Sequence, residues 1–147
     1  MSDDWRSDAE RIRALEPRHL LFVCALNSAR SQLGEGIARS LAGPGVRISS
    51  AGSQGTSVHP LAVAALAEVG IDASGHTSKG LEAIDTASVD AAFVLCDVCP
   101  PLPGVERVHW PFPDPMAGAR SAEEALEGFR RLRDELFHRL RVVFPSP

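Results

Sequence analysis

Apolar residues along this chain fall into two patterns that alternate. Residues 20–24 and 91–96, "LLFVC" and "AAFVLC", are short continuous apolar runs, which predict strands buried on both faces. Other apolar positions recur at helical spacing. Trp5, Ile12 and Leu15 mark an amphipathic helix over 3–15, closed by Pro17. Leu33, Ile37, Ala38 and Leu41 mark a second over about 31–42, with Ser31 as its expected N-cap and Gly43-Pro44-Gly45 as its stop. Pro60 opens a third that reaches about residue 69, and 121–143 form a long C-terminal helix. Shorter strands are expected at 46–50 and near 107–110 ("RVHW"), and a short helix at about 79–85.

Strands separated by helices imply βαβ crossovers, hence an α/β sandwich with a parallel sheet between helical layers. In such sheets, sites form beyond the carboxyl ends of the strands. Cys24 and Cys96 both stand at such ends and can share one edge of the sheet.

The junction "LLFVCALNSARSQLGEG" gives that edge its chemistry. A strand stops at Cys24, a loop of small and polar residues (Ala25, Leu26, Asn27, Ser28, Ala29) follows, and Arg30 and Ser31 open a helix. A loop wound around a helix N-terminus turns several backbone N–H groups inward, and the helix dipole adds positive potential. Such a nest suits a tetrahedral oxyanion, and a guanidinium at its rim can hold two oxygens at once. A cysteine facing the same donors is favoured as thiolate. The chemistry implied is thiolate attack on a bound oxyanion, with phosphate and arsenate as the obvious candidates. The plainer reading of Cys24 is a small core residue at a strand end.

The chain has 147 residues, enough for one domain with one core. With 44% hydrophobic and 23% charged residues it has an ordinary globular composition. A net charge of −4 provides no basic field for nucleic acid or an anionic membrane. No apolar run approaches the roughly 20 residues of a membrane span, and the acidic start "MSDDWRSDAE" lacks the character of a signal peptide. Three cysteines, an odd count, argue against a purely structural disulfide framework and suit a reducing cytoplasm.

Two further segments carry chemistry. "LCDVCPPLPG" places Cys96 and Cys99 three apart in a proline-stiffened loop. They read as half of a zinc site lacking its second ligand pair, as two inert thiols, or as a redox pair able to exchange with Cys24. "WPFPDPMAG" presents Asp114 between prolines, either an ordinary turn residue or a proton donor beside an anion pocket. The histidines at 19, 59, 76, 109 and 138 show no catalytic or metal spacing. His59 is expected to serve the turn before Pro60, and His138 to face solvent.

Taken in order, "VCALNSARSQLGEG", "SAGSQGTSVHPLAVAALAEVGIDASGHTSK" and "DAAFVLCDVCPPLPGVERVHWPFPDP" resemble the low-molecular-weight tyrosine phosphatase superfamily. Within it they are most similar to the arsenate reductases that regenerate with thioredoxin or a related thiol donor. The resemblance covers about 19–141, so 1–18 is expected to be an N-terminal helical extension to a single domain at 19–147. It implies a three-layer fold around a four-stranded parallel sheet. It also implies roles: Cys24 as nucleophile, Arg30 as oxyanion clamp, residues 25–31 as the binding loop, Ser31 as a hydrogen-bond partner of the thiolate, and Asn27 as the residue that shapes the loop. Asp114 would be the general acid. Cys96 would attack the Cys24–arsenic adduct, and Cys99 would resolve the resulting disulfide for thioredoxin. No resident cofactor is implied.

Ala29 stands where relatives often carry another cysteine, which removes a bystander thiol. Some relatives hold a potassium ion through Asn, Glu, Ser and an acidic residue. Asn27, Glu35 and Ser50 match three of these, but Lys79 stands in place of the acid, and a cation beside an ammonium is unfavourable, so no metal is expected. The rival expectation is a phosphatase of phosphate monoesters, using the same Cys24, Arg30 and Asp114. Against it, the chain has no tyrosine, Met116 and Ala117 follow the Asp-Pro where phosphatases carry aromatic walls, and ester hydrolysis has no use for Cys96 and Cys99.

Overall fold

A computed structural model describes residues 4–97 and 101–145. The helices are α1 (Asp4–Leu15), α2 (Arg30–Leu41), α3 (Pro60–Ala67) and α4 (Ala122–Val143); the strands are β1 (His19–Cys24), β2 (Arg47–Gly52), β3 (Ala91–Val94) and β4 (Glu106–His109). The four strands form one parallel sheet in the order β2-β1-β3-β4. The α/β class and the parallel sheet expected from the sequence are those of the structure.

Side chains alternate across the sheet, so its two faces feed two cores. Leu20, Phe22, Phe93 and Val108 pack into a large cluster with residues from all four α-helices, among them Ile12, Leu33, Ile37, Leu66, Phe129, Leu136 and Leu140. Leu21, Val23, Ala92 and Val94 face a smaller cluster closed by Val89, Leu102 and Val105. This second face is covered by two 3-10 turns, Leu81–Ala83 and Thr86–Ser88, in place of the short helix expected at about 79–85. Asp85 explains the break: its side chain accepts from the Ala87 N–H, capping a new turn where a helix would have continued.

The second helix begins earlier than Ser31. Its N-cap is Ala29, with no side-chain hydrogen bond at the cap, and Arg30 is its first residue. Ser31 therefore lies inside the first turn, where its hydroxyl has another partner, described below. The other helix starts follow ordinary capping. The His59 Nδ1 accepts from the Leu61 N–H 3.0 Å away and Pro60 takes the first helical position; Ser121 Oγ accepts from the Glu124 N–H at 3.1 Å.

Helix α1 packs on α4, with Ala9 and Ile12 fully buried. Burying an isoleucine alone is worth about 1.5–3 kcal/mol. Among the described residues no helix is long and apolar enough to cross a membrane.

Candidate active site

The loop between β1 and α2 is built with its carbonyls turned outward. Ala25 O accepts from Gln54 N at 3.2 Å, Ser28 O from His59 N at 2.9 Å, and Ala29 O from Leu33 N at 3.0 Å. Leu26 O accepts from Ser78 Oγ at 3.0 Å, and Asn27 O from Gln32 Nε2 at 3.0 Å. Every carbonyl from residue 25 to 29 is thus held from outside. Among the described residues, the N–H groups of Leu26, Asn27, Ser28 and Ala29 have no acceptor within the chain. A peptide whose carbonyl points out turns its N–H the other way, so these donors converge at the N-terminus of α2, the arrangement that holds an anion.

Asn27 makes the turn. Its φ is +51°, a left-handed conformation that asparagine tolerates better than most residues. The side chain is fully buried: Oδ1 accepts from the Lys79 N–H at 2.9 Å, and Nδ2 donates to Ser31 Oγ at 2.8 Å. Gly52, at the end of β2, lets the loop settle on the sheet, because a Cβ there would lie 2.6 Å from Asn27 N and 2.7 Å from Ala25 O.

Cys24 closes this arrangement. It is 3% exposed, and its Sγ lies 2.9 Å from Ser31 Oγ. One lone pair of the hydroxyl is taken by Asn27, so its hydrogen is available to the sulfur. Asn27, Ser31 and Cys24 form a directed chain of hydrogen bonds that ends at the sulfur. This explains why Ser31 does not cap its own helix.

Arg30 and the Asp-Pro loop form the rim. Arg30 Nη1 donates to Phe112 O at 2.9 Å. The segment after β4 runs on beside β3, with Trp110 N donating to Val94 O at 2.9 Å and Phe112 N to Leu95 O at 3.1 Å. This brings Asp114, two residues on, to the same edge. Asp114 is exposed and accepts from Met116 N through Oδ1 at 2.9 Å. Leu26 and Met116, 43% and 40% exposed, contribute apolar surface on this edge.

Cys96 stands at the same edge. Val23 pairs in register with Val94 and Leu95 N donates to Val23 O at 2.8 Å, so Cys24 and Cys96 follow neighbouring parallel strands. Both are buried in the smaller core cluster, and no disulfide joins them. Cys99 lies outside the described residues.

The structure adds Gln32, Arg39, His76 and His109, to which sequence reasoning assigned no role, and shows what Glu35, Ser50 and Lys79 do. His109 Nε2 donates to Cys96 O at 2.7 Å, fixing the peptide that carries this thiol. Gln32, fully buried, ties Asn27 O to Thr77 O and accepts from His76 Nδ1 at 3.0 Å. Behind the loop, Ser50 Oγ donates to Glu35, which also pairs with Arg39 at 2.8 Å. Lys79 Nζ donates to the carbonyls of Thr77 and Ser50 at 2.8 and 3.2 Å. Burial lowers the pKa of both Lys79 and His76 from their ordinary values, and the nearby Glu35 charge opposes the shift. Most of these contacts join residues far apart in sequence, which no local pattern announces; Glu35 and Arg39, four residues apart on α2, form an ordinary helix pair.

A strand–loop–helix anion nest with a buried cysteine at the strand end and an arginine at its rim is the arrangement suited to thiol-dependent chemistry on tetrahedral oxyanions. The chain belongs to the low molecular weight phosphotyrosine protein phosphatase family, whose model matches residues 19–145. Within it, the chain is 38% identical to an arsenate reductase of Bacillus subtilis over 132 residues, covering 86% of this chain and 95% of that one. It is similar in structure to an arsenate reductase in the phosphate-binding state, with a TM-score of 0.71 and 33% identity over 84% of this chain and 94% of that one. A thioredoxin-dependent arsenate reductase of Corynebacterium glutamicum gives a TM-score of 0.60 at 27% identity, covering 90% of this chain and 68% of that one.

Proposed function

We propose that this chain reduces arsenate to arsenite and serves arsenic detoxification in a reducing cytoplasm. The observation that carries this reading is the second buried cysteine, Cys96, on the strand end next to Cys24. A phosphate ester hydrolase finishes with water and needs no such partner.

Arsenate sits in the nest of residues 25–31, its oxygens bound by backbone N–H groups and Arg30. The Cys24 thiolate attacks arsenic while Asp114 protonates the departing hydroxide, which leaves as water. Cys96, as thiolate, then attacks Cys24 Sγ. The S–S bond forms, the S–As bond breaks, and its electron pair stays on arsenic, which leaves as arsenite. Cys99 attacks Cys96, freeing Cys24 and leaving a Cys96–Cys99 disulfide for thioredoxin. The two electrons come from this external dithiol, so no resident cofactor is required. The relatives named arsenate reductase, one of them thioredoxin-dependent, support this assignment. The same loop supports a weak side activity on aryl phosphates, in which Cys24 takes the phosphoryl group, the phenol leaves with the proton of Asp114, and water then attacks phosphorus to free the thiol.

The test is NADPH oxidation with arsenate, thioredoxin and thioredoxin reductase, run beside an aryl phosphate assay. Arsenate-dependent turnover that is lost in Cys24→Ser is expected. Efficient ester hydrolysis without arsenate-dependent NADPH oxidation would make the chain a phosphatase.

A further inference from the structure

Helix α1 lies outside the residues matched to the family, yet it reaches the rim of the site. Trp5 on α1 meets Trp110 edge-on, with ring centres 6.4 Å apart and planes at 85°. Between α1 and the segment leading to Asp114 lies the guanidinium of Arg139, from α4. Its Cζ is 5.4 Å from the Trp5 ring, 5.3 Å from Trp110 and 4.7 Å from Phe112. Arg139 Nε is held by Glu135 at 2.8 Å, and its side chain is only 19% exposed. One cation thus joins three rings from α1 and the 110–112 segment.

Phe112 links this stack to the site, since its carbonyl accepts from Arg30. An arginine fork grips two oxygens of a tetrahedral anion only in the correct plane, and the Phe112 carbonyl sets that plane. The far side of the segment is seated on α4 at Gly128, where a Cβ would lie on the Pro115 carbonyl oxygen. The 110–115 segment is therefore clamped at its ring end by Arg139 and at its Asp-Pro end by close backbone approach. We infer that Arg139 and Trp5 are positioning residues for Arg30 and Asp114, making α1 part of the catalytic unit.

The inference rests on the roles given above to Arg30 and Asp114, so its primary readout is the affinity for inorganic phosphate, which exists whether or not the chain reduces arsenate. In calorimetry, Trp5→Ala and Arg139→Ala are each expected to raise the phosphate Kd roughly fivefold, in line with a partly desolvated cation–aromatic stack. Arg139→Lys retains the charge and the reach to Glu135 but loses the plane, so it should weaken phosphate in the same direction. Trp5→Phe should restore most of the affinity. Arg141→Ala removes a comparable stack, on Phe137 of the same helix, and should leave phosphate binding unchanged. In the arsenate assay the Trp5 and Arg139 variants should lower kcat as well as raise KM, because Asp114 is displaced along with Arg30. A lowered Tm with unchanged phosphate Kd in Trp5→Ala and Arg139→Lys would overturn the inference. So would an equal loss in Arg141→Ala.

Discussion

Removing the Ser31 hydroxyl tests how the nucleophile is held. Ser31→Ala deletes a fully buried group that sits 2.9 Å from Cys24 Sγ and 2.8 Å from Asn27 Nδ2. Two costs follow. A hydrogen bond to a charged group contributes about 1.5–3 kcal/mol, so losing it should slow thiolate chemistry roughly ten- to a hundredfold. The Asn27 amide is also left with a buried donor and no acceptor, which costs about 1–3 kcal/mol of stability, or roughly 2–10 °C in Tm for a chain of this size. The assay is the rate of Cys24 alkylation by iodoacetamide at pH 7, beside a thermal melt. Asn27→Asp sharpens the test. A carboxylate accepts where the amide donated, so it turns the Ser31 hydrogen away from sulfur while Lys79 N–H keeps its acceptor. This variant should therefore alkylate slowly although Ser31 is intact. Wild-type alkylation rates in both variants would refute the directed chain from Asn27 to Cys24.

Arg30→Lys retains a positive charge but loses the planar fork and its fixed contact with Phe112, so phosphate affinity by calorimetry should fall about tenfold or more. Cys96→Ser should block multiple turnover with thioredoxin while sparing any aryl phosphatase activity, and Cys99→Ser should trap a Cys24–Cys96 disulfide detectable by peptide mapping after arsenate treatment. Stability should fall with acidity. Burial, with Arg47 nearby, lowers the pKa of His19 below the ordinary histidine value of 6.5. The unfolded chain therefore takes up the proton first, so the contribution of a neutral His19 is complete above pH 6.5 and is lost as pH falls from there through the folded pKa. His76 acts in the same direction. Urea unfolding between pH 5 and 7.5 should show this slope, flattened in His19→Gln.

What could be read from the sequence was local. The run 20–24 ends where a small, polar stretch begins, so a strand, a loop and a helix followed from neighbouring residues, and the cysteine and arginine bounding the loop came with them. Ser31 shows the limit of this reasoning. A serine ahead of an apolar helical pattern has the same signature whether its hydroxyl caps a backbone N–H or faces a sulfur, and only the start of α2 at Arg30 decides between them. Gln32 and His109 stayed silent because partners of theirs lie many residues away: Gln32 meets Thr77, and His109 meets Cys96. Lys79 stands out in the sequence only as a cation in place of an acid; its main-chain bond to Asn27 does not. The amphipathic pattern of α1 was plain, but that its tryptophan meets the segment before Asp114 depends on how α1, α4 and β4 come together.

The outward carbonyls of the anion loop have a consequence for biosynthesis. The carbonyls of Ala25, Leu26 and Ser28 take their donors from Gln54, Ser78 and His59, and the Asn27 side chain waits for Lys79. On the ribosome, Cys24 is made early, but the nest beside it has no fixed shape until residues up to 79 have emerged and docked. The nascent chain therefore carries a thiol without an anion site, and affinity for oxyanion is acquired only as the fold closes. A stalled or truncated product ending before residue 79 should leave arsenate and phosphate alone, so the ability to capture oxyanion marks a chain whose folding has passed that point.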